Sequence, residues 1–435
     1  MRKRLVSVVV CSLLWLPLAH GENLMQVYKL AVHNDAQIKA AKATRDSVLE
    51  SKPQARAALL PTVSLSADAN NVHTNVLQSS SGGSHSVNGT SSLGLSLSMP
   101  VYRRDLWVQL EQADDSIAQA EAEYAAAEQD LIVRTAQAYF DILSAQDSLE
   151  FAKAETAAIA RQLDQAKQRF DVGLIAITAV HEAQAAYDQS RSDLILAENV
   201  LDNAWEALFE IISRKVKSLA TLAEDLALSK PQPQSIEAWG NRAQQQNLSI
   251  RAVQEARDIA RKNIKVQQSG HYPTVALVGS HDRSRTTSSI GTESNTSVIG
   301  LQFNLPLYSG GAVTSRTKQA RFNLEAAQEN LDKERRSVKR QVRDAYRRVL
   351  ASISAVQALK ASTISTRSAL EATEAGFEVG TRTMVDVLNA QRDLYRSLSN
   401  YATVRYNYIM SGLQLKQAAG TVSEDDLKRI TVWLK

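Results

Sequence analysis

The residues best equipped for chemistry in this chain do not assemble into a catalytic set. His181-Glu182 opens like the H-E-x-x-H helix of zinc proteases, but Ala185 stands where the second histidine ligand belongs. The seven histidines are scattered, and neither a phosphate-cradling glycine loop nor a nucleophile elbow is present. Cys11, the only cysteine, falls in a segment expected to be removed. The mature chain is therefore expected to form no disulfide and no thiolate metal site. Asn-x-Ser/Thr at Asn88, Asn247 and Asn295 is a pattern common by chance. Asp386, taken alone, reads as a solvated acid at a helix end. No enzymatic activity, cofactor or metal is expected.

Charge excludes a further class. Lys+Arg exceed Asp+Glu by 4, and three of those charges (Arg2, Lys3 and Arg4) lie in the removable segment, which leaves +1. Nucleic-acid binding needs a clustered basic excess, so no nucleic-acid partner is expected. The 17 Gly and 8 Pro are about 6 % of 435 residues, half the usual roughly 12 %, which argues against sandwiches and disordered tails.

The elements that must position these residues are long helices. The stretches 101–172, 174–230 and 312–375 are free of Gly and Pro but for Pro100 at the edge of the first. Leu110, Ile117, Tyr124 and Leu131 recur every seven residues, with Ala113, Ala120 and Ala127 at the second heptad position. Val338, Val342, Ala345, Val349, Ser352, Val356 and Leu359 alternate steps of four and three. Both are coiled-coil seams, and about 67 helical residues span on the order of 100 Å. Long helices are predicted over about 103–172, 174–212, 312–375 and 381–411.

Between them lie four segments of period-two alternation. Leu93, Leu95, Leu97, Met99 and Val101 alternate with Gly94, Ser96, Ser98 and Pro100, and Leu301, Phe303, Leu305 and Leu307 alternate with polar residues and Pro306. Strands are predicted at about 61–71, 91–102, 273–282 and 297–308, joined by polar loops at 72–90 and 283–296. Each is roughly ten residues, the length of a tilted transmembrane strand. Four strands cannot close a barrel alone, and an open edge in lipid leaves backbone groups unpaired. Two chains would supply eight strands, largely filled by side chains, and three supply twelve with an open lumen, so a rotationally symmetric trimer is favoured.

Residues 1–21 have a basic start, an apolar run from Leu5 to Ala19 and a small-x-small ending at Ala19-His20-Gly21. This predicts a signal peptide, with Glu22 as the mature N-terminus. Two tandem halves, 22–230 and 231–435, are also expected. Ile38-Lys39-Ala40, Pro61-Thr62-Val63, Pro100-x-Tyr102 and Phe170-x-Val172-Gly173 recur in order as Ile250-Arg251-Ala252, Pro273-Thr274-Val275, Pro306-x-Tyr308 and Phe377-x-Val379-Gly380.

These features and four further motifs carry a resemblance. Arg161-Gln162-Leu163-Asp164-Gln165, Ala176-Ile177-Thr178 and Val379-Gly380-Thr381-Arg382-Thr383-x-Val385-Asp386-Val387-Leu388 stand in order, and Tyr406-Asn407-Tyr408 follows. The chain resembles the TolC family of outer-membrane efflux proteins along its whole mature length, at the level of an orthologue or close paralogue. The resemblance implies a mixed α and β membrane protein, in which a homotrimer in outer-membrane lipid forms a shared 12-stranded barrel joined to a coiled-coil tunnel. It implies opening by a periplasmic adaptor and an inner-membrane RND or ABC pump, for drug efflux or type I protein secretion. The rival class is a periplasmic coiled-coil adaptor without its own pore.

The family's closure residues carry over unevenly. Gln162 and Glu374 match a pair that links helices near the gate. Thr178 and Arg382 match members of a second link, but its acidic position holds Ala179 and its tyrosine position holds Phe377. Asp386 matches the first carboxylate of the pore constriction, while Asn389 stands where the family has its second. Residues 386 and 389 are i, i+3 neighbours on one helix face, so a trimer is expected to carry three pore carboxylates instead of six.

Overall fold

A computed structural model describes residues 21–76, 84–223, 226–287 and 291–435. The predicted signal peptide lies outside the described residues apart from Gly21. In chain order the elements are α1 (Leu24–Asn34), α2 (Ala36–Leu49), α3 (Ser51–Ala57), β1 (Thr62–Val76), β2 (Ser84–Tyr102), α4 (Arg104–Asp171), α5 (Ile177–Ile212), α6 (Ile236–Gln246), α7 (Leu248–Gln268), β3 (Thr274–Thr287), β4 (Thr292–Asn304), α8 (Ala312–Glu378), α9 (Met384–Ala418) and α10 (Glu424–Thr431). The chain forms two compact units, and each draws on both halves of the sequence. Among the described residues, one comprises those within 21–39, 128–243 and 341–435, the other those within 40–127 and 244–340.

The second unit holds the sheet. All four strands are antiparallel in the order β1-β2-β3-β4, so β1 and β4 each have a single neighbour within the chain. The register places Val63, Leu65, Leu93, Leu95, Leu97 and Met99 on one face with Leu277, Ile299, Leu301 and Phe303. The opposite face carries Ser64, Ser66, Asp68, Ser92, Ser96, Ser98, Ser280, Asp282 and Ser284. The apolar band steps along the register from β1 to β4. It is unpaired in one chain, with Leu65 and Leu301 each 71 % exposed. At Gly94 an added Cβ would lie 2.5 Å from Asp282 Oδ1, so a larger residue there requires that carboxylate to shift. The helices of this unit are tied by Lys262 Nζ to Asp115 Oδ1 at 2.8 Å and by the Arg45 guanidinium over Tyr124 at 4.5 Å.

The strands outrun their prediction. β1 and β2 cover most of the expected loop 72–90, of which 77–83 lie outside the described residues, and β3 and β4 shorten the expected loop 283–296 likewise. The paired extension is mostly polar, as in Asn70↔Thr90 and Asn71↔Gly89, and backbone bonding continues where the regular apolar alternation stops. Apolar alternation marks only part of each strand. β4 stops at Asn304 instead of 308, before Pro306, which has no N–H to donate.

The first unit is helical. Tyr139, Phe140, Ile142 and Leu143 of α4 are buried with Leu24 and Val27 of α1, Leu208 of α5 and Leu427 of α10. The Tyr139 hydroxyl donates to the Ala220 carbonyl at 2.7 Å, and the Tyr406 hydroxyl donates to Asp147 Oδ2 at 2.7 Å. Burial raises the pKa of both phenols and of the Asp147 carboxyl. Val342, Ala345, Val349, Ser352 and Val356 are buried in this unit along the predicted seam of α8. α9 runs past the predicted end at 411. Gly412 costs about 1 kcal/mol inside a helix, and burial of Leu413 and Leu415 beside it offsets that. No helix among the described residues is long and apolar enough to cross a membrane.

Candidate functional site

The two longest helices end alike. After α4, Gly173 has φ 76°, its N–H reaches Phe170 O at 2.8 Å, and the Leu174 N–H reaches Arg169 O at 2.8 Å. After α8, Gly380 has φ 78°, its N–H reaches Phe377 O at 3.2 Å, and the Thr381 N–H reaches Gly376 O at 2.8 Å. This pair of bonds satisfies the last carbonyls of a helix and needs a left-handed residue, which glycine adopts at least cost. The repeated Phe-x-Val-Gly is therefore a helix-stop motif. It explains why α5 and α9 start at Ile177 and Met384, three residues after the predicted 174 and 381.

The turns converge on one cluster. Ile159, Leu163 and Ala166 of α4 are buried with Ala183 of α5 and with Met384 and Leu388 of α9. Ala179 and Phe377, the two departures from the family pattern, pack against it, half-buried. Thr178 is exposed, and Arg382 lays its stem across Gly376, where an added Cβ would lie 2.8 Å from Arg382 Cγ. Ala179, Phe377 and Arg382 border one open cleft.

The first predicted link is not formed within the chain. Gln162 Oε1 is buried without a hydrogen-bond partner, and no hydrogen bond joins it to Glu374. Glu374 instead lies near Tyr395 of α9. Burial raises the Tyr395 pKa, with Arg161 opposing and Glu155 and Glu374 reinforcing the rise.

Asp386 is more than a solvated helix-end acid. Thr383 is the N-cap of α9, and its backbone N–H and hydroxyl both donate to Asp386 Oδ2 at 2.8 Å. The Asp386 N–H donates back to Thr383 Oγ1 at 3.2 Å. These backbone and side-chain donors hold the carboxyl below the usual carboxylate range, and nearby Arg382 adds to the effect. The arrangement is a capping box, legible as Thr383-x-x-Asp386 but not read from the sequence. Asn389, exposed one turn on, accepts from Arg392 Nη2 at 2.8 Å. Sequence reasoning also missed Arg169, whose guanidinium lies 4.6 Å from the Phe377 ring centroid.

An antiparallel sheet with one apolar and one serine-rich face, carried by helices of 68 and 67 residues, defines the class of outer-membrane efflux channels. The pattern of the family described as outer membrane efflux proteins matches residues 27–214 and 239–421. The chain belongs to that family, and it is an outer-membrane efflux channel of a Gram-negative bacterium. It is 44 % identical to outer membrane protein TolC of Vibrio cholerae serotype O1 over 95 % of this chain and 94 % of that one. It is 28 % identical to the proteases secretion protein PrtF of Dickeya chrysanthemi over 100 % and 96 %. The solved Campylobacter jejuni CmeC outer membrane channel shares the fold at a TM-score of 0.79 and 18 % identity, covering 95 % and 90 %. Membership sets aside the rival reading as a periplasmic adaptor.

Proposed function

We propose that three copies form a shared twelve-stranded barrel in outer-membrane lipid, with the long helices as the walls of a periplasmic tunnel. The assembly serves as the exit duct for tripartite multidrug efflux and type I protein secretion. The observation that carries this is the sheet: an exposed apolar band on strands whose two edges, β1 and β4, lack partners within the chain. The family pattern matching in two successive stretches supports a duplicated origin.

A second feature supports assembly of copies. Ala351, Ser354, Ala358, Ala361, Ser365, Ser368, Ala372 and Ala375 alternate steps of three and four along α8, and all are exposed. They form a further heptad stripe, opposite the buried one. Ala185, Gln189, Ser192, Leu196, Asn199 and Asn203 form an uncharged exposed stripe on α5. Small residues let two such helices approach closely. The proposed test joins the edges: with one cysteine in β1 and one in β4, oxidation gives a ladder of covalent species that ends at three. A ladder limited to the monomer refutes the shared barrel.

The helix turns are the gate of this duct, with Gln162, Glu374, Thr178 and Arg382 as closure contacts and Asp386 and Asn389 at the constriction. An RND or ABC pump and its adaptor open it and supply the energy. Val172, Leu174 and Val379, each more than 70 % exposed on the two turns, are an apolar landing for that adaptor.

The capping box makes pore charge depend on pH in a stated direction. A carboxyl held below its ordinary pKa stays ionised, and keeps capping α9, until the pH falls through that lowered value. Thr383→Val removes the hydroxyl donor, so the midpoint at which acidification abolishes cation selectivity moves to higher pH. Selectivity measured across a pH series in planar bilayers checks this; an unmoved midpoint contradicts it.

A further inference from the structure

We infer that Arg169 and Phe377 form an intrachain latch that holds the two helix turns together. The inference rests on the reading of those turns as the gate. Arg169 lies in the last turn of α4 and Phe377 in the last turn of α8, so their contact crosses from the α4–α5 hairpin to the α8–α9 hairpin. The guanidinium carbon sits 4.6 Å from the ring centroid, within the range of cation–π attraction.

Arg169 has no alternative partner. Its side chain makes no hydrogen bond or ion pair among the described residues, so the ring is its electrostatic contact. The ring is fixed from the other side, because Phe377 packs against the buried cluster of Ile159, Leu163, Ala166, Ala183, Met384 and Leu388. Parting the hairpins separates the cation from the ring. The contact lies beside the position where Ala179 offers no carboxylate and Phe377 no hydroxyl, in the cleft that also holds Arg382. A cation–π contact at a partly exposed site is worth about as much as the exposed ion pair that this chain lacks.

A cation in the last turn of α4 also favours that helix end through its dipole, with or without a ring. The test must separate the two. Phe377 is replaced in the full-length channel by its mono-, di- and trifluorinated analogues, which keep the ring's shape and drain the electron density of its face. The resting open-to-closed ratio in planar bilayers rises stepwise with fluorine, by about two- to fivefold per latch at the end of the series. Arg169→Gln reaches the same endpoint and abolishes the response to fluorine. A flat series, or a series unchanged in Arg169→Gln, overturns the latch. Phe377→Ala, which also removes packing, tests the underlying reading. If it opens the channel while the fluorine series is flat, the gate stands and the latch falls. If it leaves the resting conductance unchanged, the gate reading fails and the latch with it.

Discussion

Asp386→Asn lowers the preference of the open pore for cations over anions by roughly tenfold, while trimer mass and yield stay near wild type. The charge argument is direct. In the proposed trimer three carboxylates, one per subunit, ring a narrow aqueous passage, and such a ring concentrates cations and repels anions. Asn389 contributes none, because its side chain is an amide already bound to Arg392. The choice of asparagine follows from the capping box. An amide oxygen can still accept from the Thr383 N–H, as the carboxylate does at 2.8 Å, so the first turn of α9 is preserved. Asp386→Ala loses cap and charge together, and the difference between the two variants isolates the helix-end contribution. Unchanged selectivity in Asp386→Asn shows that residue 386 is away from the constriction.

The second large effect runs the other way. Ala179→Asp with Phe377→Tyr lowers the resting open probability by about tenfold. Ala179 is the third residue of α5, whose N-cap, Ala176, makes no side-chain cap. An aspartate there can reach back to the Ala176 amide, as Asp386 does to Thr383, and it enters the cleft that Arg382 borders. A partly exposed ion pair is worth about 0–1 kcal/mol and a hydrogen bond about 0.5–1.5 kcal/mol. Together they approach the roughly 1.4 kcal/mol that shifts a two-state balance tenfold. The ring of Phe377 is kept, so its contact with Arg169 survives the change. Unaltered resting conductance in the double variant means that packing of the helix ends already closes the aperture fully.

Local rules that a sequence displays account for much of this fold. The breaker-free stretches and heptads of small and apolar residues lead directly to α4 and α8, and apolar alternation locates the four strands. What escaped was polar or tertiary. The strand tips beyond Asn71 and Asp282 are mostly polar and pair through backbone bonds without a regular apolar alternation. The short helices α1–α3, α6, α7 and α10 went unassigned beside the longer patterns. At the helix turns, Thr383-x-x-Asp386 is a local signal that was open to reading. The contact between Arg169 and Phe377 was not, since those residues are far apart in sequence and meet only because two glycine stops bring the turns onto one cluster. Gln162 and Glu374 show the converse: matching residue types suggested a link that the chain by itself does not make.

The central claim, that this chain assembles into a membrane duct, is tested most directly by adding the purified full-length protein in detergent to one side of a planar lipid bilayer. The account predicts discrete, uniform steps of cation-selective conductance that persist once inserted. A bilayer that stays silent, with the protein recovered in the aqueous phase, contradicts it.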